Sequence, residues 1–240
     1  MAHFYLAASL SEEGAQLVGE EARHAAQVAR LRAGERVVVG DGRGGVADAE
    51  AVEVARDRVV LRVLALRHEP APLRRLVLVQ ALAKGGRDEA AIQAATELGV
   101  TAVVPWQAAR SVPRWAGPKA EAGTARWASI VREAGKQSMR AWPAEVRPLA
   151  STADVAAMAA TAAVLVLEPT AGRRLLEVDL PDDREVVLVV GPEGGVALEE
   201  LDRLAAAGAI PVRLGPLVLR TSTAGPAALA ALAGPLGLWP

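Results

Sequence analysis

Four short runs of almost uninterrupted apolar residues, separated by segments with helical character, most constrain how this chain folds. The runs occupy residues 76–80, 100–104, 163–167 and 186–190. A further short strand is expected at 210–214, and we predict helices over residues 88–98, 116–140, 198–207 and from about residue 222. A strand that is apolar on both sides must be covered on both faces, so the alternation predicts an α/β fold with a parallel sheet. Ligands bind such sheets beyond the carboxyl ends of the strands.

The first third of the chain has a different pattern. We predict strands at residues 3–7, 36–39 and 59–66. A helix at Glu20–Leu31 places its alanines on one side, so this region is predicted to be a small β-barrel or sheet that carries a helix. The segment Arg67–Pro72 (RHEPAP) is the predicted linker. We therefore expect one domain over residues 1–70 and a second over residues 73–240.

Residues 40–45 (GDGRGG) match the G-x-G-x-x-G pattern that binds dinucleotides between a strand and a helix. The next segment, residues 46–54, largely alternates small or apolar with acidic residues, and another strand begins about five residues later. This leaves too little chain for the crossover helix of a βαβ unit, so a glycine-rich hairpin is the favoured interpretation. A dinucleotide oxidoreductase, which would bind NAD, remains as an alternative.

Composition excludes several kinds of site. The 240 residues include no cysteine, which rules out disulfides, thiol nucleophiles and cysteine-ligated metals. The three histidines, His3, His24 and His68, are far apart in the sequence, so we expect no metal site. The longest apolar stretches have about thirteen residues, fewer than the roughly 20 that span a bilayer. The N-terminus does not resemble a signal peptide, so we expect a cytoplasmic protein with no membrane partner.

The net charge of −1 conceals an uneven distribution. Residues 73–148 carry twelve basic and six acidic side chains, whereas the segments on either side are acidic. Four of the five tryptophans also lie in this basic middle segment: Trp106, Trp115, Trp127 and Trp142. Arginines with interleaved aromatic rings would suit the phosphates and unpaired bases of RNA. In the alternative interpretation, the tryptophans anchor the core and the arginines form a solvated surface.

Three loops that follow predicted strands carry the strongest functional signal. They contain Leu167-Glu168-Pro169, the glycine-rich residues 191–195 (GPEGG) and residues 214–224 (LGPLVLRTSTA). Glycine allows backbone amides and carbonyls to approach a ligand closely, and leucines can wall an apolar slot. Three such loops at neighbouring strand ends predict a pocket that hydrogen-bonds an adenine through backbone groups.

Several ordered motifs resemble those of the RsmE-type family within the SPOUT class of RNA methyltransferases. They are HAAQVAR at 24–30, QALAK at 80–84, TELG at 96–99, Arg110-Ser111, EAGKQSMR at 133–140, VVLVVGPEGG at 186–195 and LGPLVLRTSTA at 214–224. The resemblance extends over nearly the whole chain. One position departs from the family pattern, since Ser222 lies where the family commonly has glutamate.

The resemblance implies a PUA-like β-barrel domain at residues 1–70 and a SPOUT methyltransferase domain at residues 73–240. A deep trefoil knot and the cofactor site would lie in about residues 163–240. It further implies that S-adenosylmethionine donates a methyl group, without a metal, to N3 of a uridine in small-subunit (16S) ribosomal RNA. The partners would be that RNA, in an assembled subunit, and a second copy of the chain in a homodimer.

The family motifs also assign roles to individual residues. The expected cofactor neighbours are Leu167, Gly191, Gly195, Leu214, Gly215, Leu219 and Thr223. The candidate catalytic residues are Arg220 and Arg140. The expected RNA phosphate contacts are Arg23, Arg30, Arg32, Arg110, Arg114, Arg126, Arg132 and Lys136.

Other interpretations stay open at this point. The chain could be an RNA-binding module without catalytic activity, or a knotted methyltransferase that acts on another RNA or on a ribose 2′-hydroxyl. Arg220 could have a structural role instead of a catalytic one, by pairing with Glu193 or Glu168.

Overall fold

The structure is a computed structural model that describes residues 3–239, and it divides into two compact units. The first unit runs as far as Pro72 and also includes Gly135–Pro143. The second unit consists of Leu73–Ala134 and the chain from Ala144 onwards. In the described part of the chain, no helix is both long and apolar enough to cross a membrane.

A six-stranded sheet forms the first unit. Its strands are β1 (Phe4–Leu6), β2 (Ser9–Leu10), β3 (Ala15–Val18), β4 (Arg36–Gly40), β5 (Gly45–Val54) and β6 (Arg58–His68). The spatial order is β1-β4-β5-β6-β3-β2, and only the β1–β4 pair is parallel. The two edge strands follow each other in the chain: Ala7 N donates to Gly40 O, and Ala8 N donates to Gln16 O. This short connection links the two edges of the sheet, and the sequence predicted a small β-barrel or sheet here.

The predicted helix of the first unit is present but is not regular. Helix α1 (Gly19–Arg23) continues directly into a π-helical segment, His24–Val28. The helical segment packs with the buried strand residues Tyr5 and Leu17 through Ala22 and Ala25, and Ala29 packs against the same core.

The glycine-rich residues 40–45 form a hairpin. β4 and β5 pair antiparallel with Val39 opposite Ala47, and no helix lies between them. Asp41 Oδ1 closes the turn by accepting hydrogen bonds from the backbone nitrogens of Arg43 and Gly45 at 2.6 and 2.9 Å. The dinucleotide-binding alternative is therefore wrong, because the chain turns back where a crossover helix would start.

Residues 135–143 group with the first unit, although the predicted second domain runs through them. Lys136 Nζ lies 3.0 Å from Glu21 Oε1, and both side chains are largely buried. The Trp142 ring packs edge-on against His68 at 6.4 Å, and its Nε1 donates to Glu69 O at 2.9 Å. Strand β6 reaches His68, so the connection between the units is shorter than the predicted linker.

The second unit contains the predicted parallel sheet. Its strands are β7 (Leu76–Ala81), β8 (Ala102–Trp106), β9 (Glu145–Val146), β10 (Ala162–Leu167), β11 (Glu185–Val190) and β12 (Ile210–Val212). All neighbours are parallel, in the order β12-β10-β11-β7-β8-β9. The accompanying helices are α2 (Arg87–Glu97), α3 (Pro118–Gln137), α4 (Thr152–Ala157), α5 (Leu198–Ala206) and α6 (Thr221–Ala233). The sequence pattern does not predict β9 or α4, which are short.

Both faces of this sheet are buried, which explains the apolar runs. Alternate residues of β7 contribute to two separate cores: Leu78 packs with residues of α2 and α6, and Val79 packs with Leu204 of α5. Gly225 of α6 lies so close to the sheet that an added Cβ would come within 2.9 Å of Leu78 Cδ1. Helix α6 therefore lies directly against the middle strands.

The tryptophans of the basic segment are core residues. Trp106 and Trp127 are fully buried, and the rings of Trp115 and Trp127 pack edge-to-face at 5.7 Å. Trp142 packs against His68. Of the two interpretations, the structure supports core anchoring, because Trp106 and Trp127 are buried and Trp115 and Trp142 pack, partly buried, against core clusters.

Candidate functional site

A pocket of about 450 Å³ lies at the carboxyl ends of β10, β11 and β12 in the second unit. This is the position expected of a ligand site in a parallel sheet. Six of the seven predicted cofactor neighbours line it: Leu167, Gly191, Gly195, Leu214, Gly215 and Leu219. The structure thus brings together the three loops that the sequence singled out.

The pocket combines apolar walls with backbone polar groups. Val190, Val196 and Val212 line it together with the leucines named above. Gly191 follows β11 directly, and an added Cβ there would lie 2.8 Å from Val196 Cγ2 and 3.1 Å from Val196 N. Only glycine allows the loop to fold back on itself so closely.

Replacing Gly191 with alanine is expected to displace this loop, because the new methyl group would meet backbone as well as side chain. We expect the affinity for the ligand of this pocket to fall by about tenfold or more, since each 1.4 kcal/mol of strain corresponds to a factor of ten. Calorimetric titration measures this change. Gly172→Ala is the matched control, because a Cβ on Gly172 meets nothing within 4 Å. Equal affinities in the two variants would contradict the prediction.

The threonine at the pocket is Thr221 and not the predicted Thr223. Thr221 begins α6, is 6% exposed and lines the pocket, whereas Thr223 is exposed and is not a lining residue. Residues two apart on a helix point roughly 200° away from each other, so only one of the two can face the pocket. Thr221 Oγ1 donates to Gly191 O at 2.7 Å and accepts from Gln80 Nε2 at 2.9 Å.

Arg220 is exposed at the rim of the pocket. Its guanidinium makes no ion pair or hydrogen bond with any residue from 3 to 239. The two carboxylates proposed as partners are occupied elsewhere: Glu193 Oε1 accepts from Arg87 Nη1 at 2.8 Å, and Glu168 Oε1 accepts from Thr170 Oγ1 at 2.8 Å. The alternative in which Arg220 pairs with either glutamate is therefore wrong.

The Glu193 contacts join the glycine-rich loop to the loop after β7. Glu193 Oε1 also accepts from Lys84 N at 3.1 Å. Burial acts to raise the pKa of the Glu193 carboxyl, but hydrogen bonds from its own backbone, from Arg87 and from Lys84 together hold that pKa below its usual value. Glu193 is thus an ionised tether at the pocket rim, and Arg87 is a pocket residue that the sequence did not indicate.

Arg140 lies in the other unit and has a different environment. Its Nε donates to Trp142 O at 3.1 Å, and burial lowers the pKa of its guanidinium. It therefore supports the backbone of the segment 135–143, unlike the exposed Arg220.

Some of the predicted RNA contacts pair with a carboxylate of the protein, and others have donors that face solvent. Lys136 is buried, with 9% of its surface exposed, and pairs with Glu21, so its ammonium does not face solvent. Arg126 forms two hydrogen bonds with Glu89, and these lower the pKa of that carboxyl. Arg132 lies 3.6 Å from Glu133.

Three further arginines bind backbone carbonyls. Arg110 donates to Gly194 O, Arg114 to the carbonyls of Ala108 and Ala109, and Arg23 to Gly19 O. These bonds leave part of each exposed guanidinium facing solvent.

Arg30 and Arg32 are exposed, and neither side chain has a partner among residues 3–239. Arg30 has a φ of 55°, an uncommon backbone conformation for a residue with a side chain. In the first unit these two arginines are the predicted contacts that are most available to a phosphate.

The described residues do not assemble a metal site, since no three histidine or acidic side chains between positions 3 and 239 are close enough to hold an ion. The polar atoms at the pocket are therefore backbone groups, one threonine hydroxyl, two carboxylates and the guanidinium groups of three arginines.

Comparison with known proteins matches both units to one family. Residues 69–233 match an RNA methyltransferase domain, and residues 17–64 match an RNA methyltransferase PUA domain. The ribosomal RNA small subunit methyltransferase E of Mycobacterium bovis is 42% identical over 231 residues, which cover 93% of this chain and 88% of that protein.

Two solved structures are similar over almost their whole length. The ribosomal RNA small subunit methyltransferase E of Neisseria gonorrhoeae, bound to S-adenosyl methionine, has a TM-score of 0.86 at 28% identity and covers 100% of this chain and 98% of its own. A Legionella pneumophila protein described as a methyltransferase, in complex with bound SAM, has a TM-score of 0.87 at 26% identity, with 98% and 97% covered.

Proposed function

Because the chain belongs to the RNA methyltransferase family of the ribosomal RNA small subunit methyltransferase E proteins, we propose that it methylates N3 of a uridine in small-subunit ribosomal RNA. The methyl donor is S-adenosylmethionine. The observation that carries the proposal is the pocket at the carboxyl ends of β10, β11 and β12, with an unpaired arginine at its rim.

The pocket fits S-adenosylmethionine. Its volume of about 450 Å³ lies in the range of small-molecule sites. The apolar residues Leu167, Leu214 and Leu219 suit the faces of an adenine ring, and the glycines of the loops expose backbone groups that can hydrogen-bond its edge. When bound, S-adenosylmethionine supplies an electrophilic methyl group on a sulfonium.

The protein has to make uridine N3 nucleophilic. The neutral imide keeps a proton on N3. Forming the anion costs about 1.4 kcal/mol for each unit by which the pKa of the imide exceeds the ambient pH. The anion carries negative charge on its two carbonyl oxygens. The Arg220 guanidinium has no competing carboxylate, so its donors are available to stabilise that charge. We therefore assign the catalytic role to Arg220, and to Arg140 a structural role within the segment 135–143.

RNA binding is assigned to both units. The PUA domain match covers Arg30 and Arg32, whose guanidinium groups are open to solvent. In the second unit, Arg110 and Arg114 lie in the loop that follows β8, at the pocket edge of the sheet. Arginines of this kind bind phosphates and set the register of the RNA.

The family resemblance supports three finer assignments. A homodimer would cover Leu217 and Val218, which are 76% and 78% exposed at the pocket rim. A trefoil knot agrees with the path of the chain, since β12 is an edge strand while α6, only nine residues later, packs on the central strands. An assembled small subunit in the cytoplasm would be the substrate particle.

Methyl transfer from labelled S-adenosylmethionine to small subunits that lack the modification tests the function. We expect the label on uridine N3, because the Arg220 guanidinium at the pocket rim would stabilise the imide anion. Digestion to nucleosides and chromatography identify the labelled atom. Free ribosomal RNA is the comparison substrate, and a lower rate with it would support the assembled particle.

Other outcomes separate the alternatives. Label on a ribose 2′-oxygen would show that the enzyme methylates a ribose 2′-hydroxyl and not uridine N3. RNA binding that weakens with salt, without heat on titration with S-adenosylmethionine, would indicate an RNA-binding module without catalysis.

A further inference from the structure

A hydrogen-bonded chain of three residues connects the centre of the sheet to the pocket. Gln80 is the only polar residue of β7, and it is fully buried. Its neighbours in register are Val190 on β11 and Pro105 on β8, so its amide lies in the interior of the sheet near the carboxyl end. Gln80 does not line the pocket, and the proposed function gives it no role.

Stability does not account for an amide at this position. Gln80 Nε2 donates to Ala81 O at 3.1 Å and to Thr221 Oγ1 at 2.9 Å. Its Oε1 is buried and has no hydrogen-bond partner among the described residues. A buried acceptor without a partner destabilises a fold, whereas an apolar side chain of similar shape avoids that penalty. Local departures of this kind are expected at functional sites.

The Gln80 amide determines where the Thr221 hydroxyl points. A hydroxyl has one hydrogen to donate and rotates to suit its surroundings. Because Gln80 Nε2 donates to Thr221 Oγ1, the hydroxyl hydrogen is left to bond Gly191 O, at 2.7 Å. The chain of bonds therefore has a single direction, from the Gln80 amide to the Gly191 carbonyl.

Two of the three residues, Thr221 and Gly191, line the pocket. Gly191 begins the glycine-rich loop, and Thr221 is the first residue of α6, directly after Arg220. The Arg220 carbonyl accepts from Thr223 N and Ala224 N, so the start of α6 also fixes the Arg220 backbone. The Thr221–Gly191 bond joins these two walls across the end of β11.

We propose that Gln80 is a positioning residue for methyl transfer, which orients the Thr221 hydroxyl and thereby fixes the Gly191 loop and the start of α6 relative to each other. This inference rests on the proposed function. It assigns no contact between Gln80 and a substrate, because Gln80 acts through Thr221.

Two variants break the hydrogen-bonded series at different residues. Thr221→Val replaces the hydroxyl with a methyl group, and Gln80→Met replaces the amide with an unbranched apolar side chain. We expect each to lower kcat for methyl transfer by about tenfold to a hundredfold, as small displacements of reacting groups do. Thr221→Ser keeps the hydroxyl and should stay within about threefold of the wild type.

Thr101→Val is the matched control. Thr101 Oγ1 donates to Leu76 O at 2.8 Å, so this variant also removes a threonine hydroxyl that binds a backbone carbonyl. The bond lies at the opposite end of the same strand, β7, away from the pocket. We expect Thr101→Val to change thermal stability but to leave kcat and the affinity for S-adenosylmethionine unchanged.

The double variant Gln80→Met/Thr221→Val distinguishes positioning from packing. If Gln80 acts through Thr221, the double variant is no slower than Thr221→Val alone; multiplied losses would overturn the proposal. A Gln80→Met protein that is folded and keeps wild-type kcat would also overturn it. If Gln80→Met does not fold, the comparison of Thr221→Val with Thr221→Ser decides, since equal rates would show that the hydroxyl is not used.

Failure of the proposed function can be distinguished from failure of this inference, because in the first case the wild type would not methylate small-subunit RNA. In that case calorimetric titration with S-adenosylmethionine still tests the inference. Weaker binding by Thr221→Val and Gln80→Met, but not by Thr221→Ser or Thr101→Val, would support positioning of the pocket. Unchanged affinities in all four variants would overturn it.

Discussion

Arg220→Ala is expected to lower kcat for methyl transfer by about a hundredfold to a thousandfold, the effect of removing one donor that stabilises a developing negative charge. The guanidinium is exposed at the pocket rim and makes no ion pair with residues 3–239, so its removal leaves no buried carboxylate unpaired. We therefore expect little change in thermal stability. The affinity for S-adenosylmethionine should change by less than about threefold, because the apolar walls and backbone groups that bind it are retained.

Single-turnover kinetics with small subunits and calorimetry with S-adenosylmethionine measure the two quantities. Arg220→Lys should recover only part of the rate, since an ammonium is a point charge and cannot bond two oxygens as a planar fork does. Arg203→Ala is the control, because Arg203 is also exposed in the second unit but lies on α5 and does not line the pocket. A wild-type rate for Arg220→Ala would remove Arg220 from the mechanism.

Trp127→Ala is expected to destabilise the second unit by about 3–5 kcal/mol, the usual cost of truncating a buried aromatic residue. Trp127 is 1% exposed and packs edge-to-face on Trp115 within the core beneath α3. Its removal leaves a cavity that the surrounding side chains cannot fill. Urea unfolding monitored by circular dichroism measures the loss.

The same variant tests the two roles considered for the tryptophans. If Trp127 is a core residue, the protein that remains folded should bind RNA with wild-type affinity at low temperature. Trp239→Ala is the control, since Trp239 is 45% exposed and such surface changes usually stay within about 0.5 kcal/mol. A stable Trp127→Ala protein with weakened RNA binding would favour base stacking instead.

The sequence predicted the strands and most helices of the second unit, because the apolar pattern that indicates each of them lies within a few consecutive residues. A run such as VVLVV is apolar on both sides of a strand, and such a strand is buried in a sheet that is covered on both faces. The short elements β9 and α4 were not predicted, since two to six residues carry too little periodicity. In the first unit the glycine-rich hairpin was predicted, because too little chain was available for a crossover.

Two residues of the site could not be assigned from the local sequence pattern alone. The three predicted loops line the pocket, but the threonine that faces it is Thr221. The predicted Thr223 lies two residues further along the helix and therefore points away from the pocket. The signal for Gln80 was present as the one polar residue of an apolar strand. Its partner lies 141 positions away, so only the fold shows what its amide does.

The sequence by itself determined the parallel sheet, the three loops at neighbouring strand ends and the family, because these follow from patterns along the chain and from strand direction. The tertiary structure decided which charged side chains are available. Arg220 and Arg30 are open to solvent, whereas Lys136 is buried against Glu21 and Arg126 is held by Glu89. The physical reason is that an ion pair needs two groups a few ångströms apart, and folding brings those groups from distant parts of the chain.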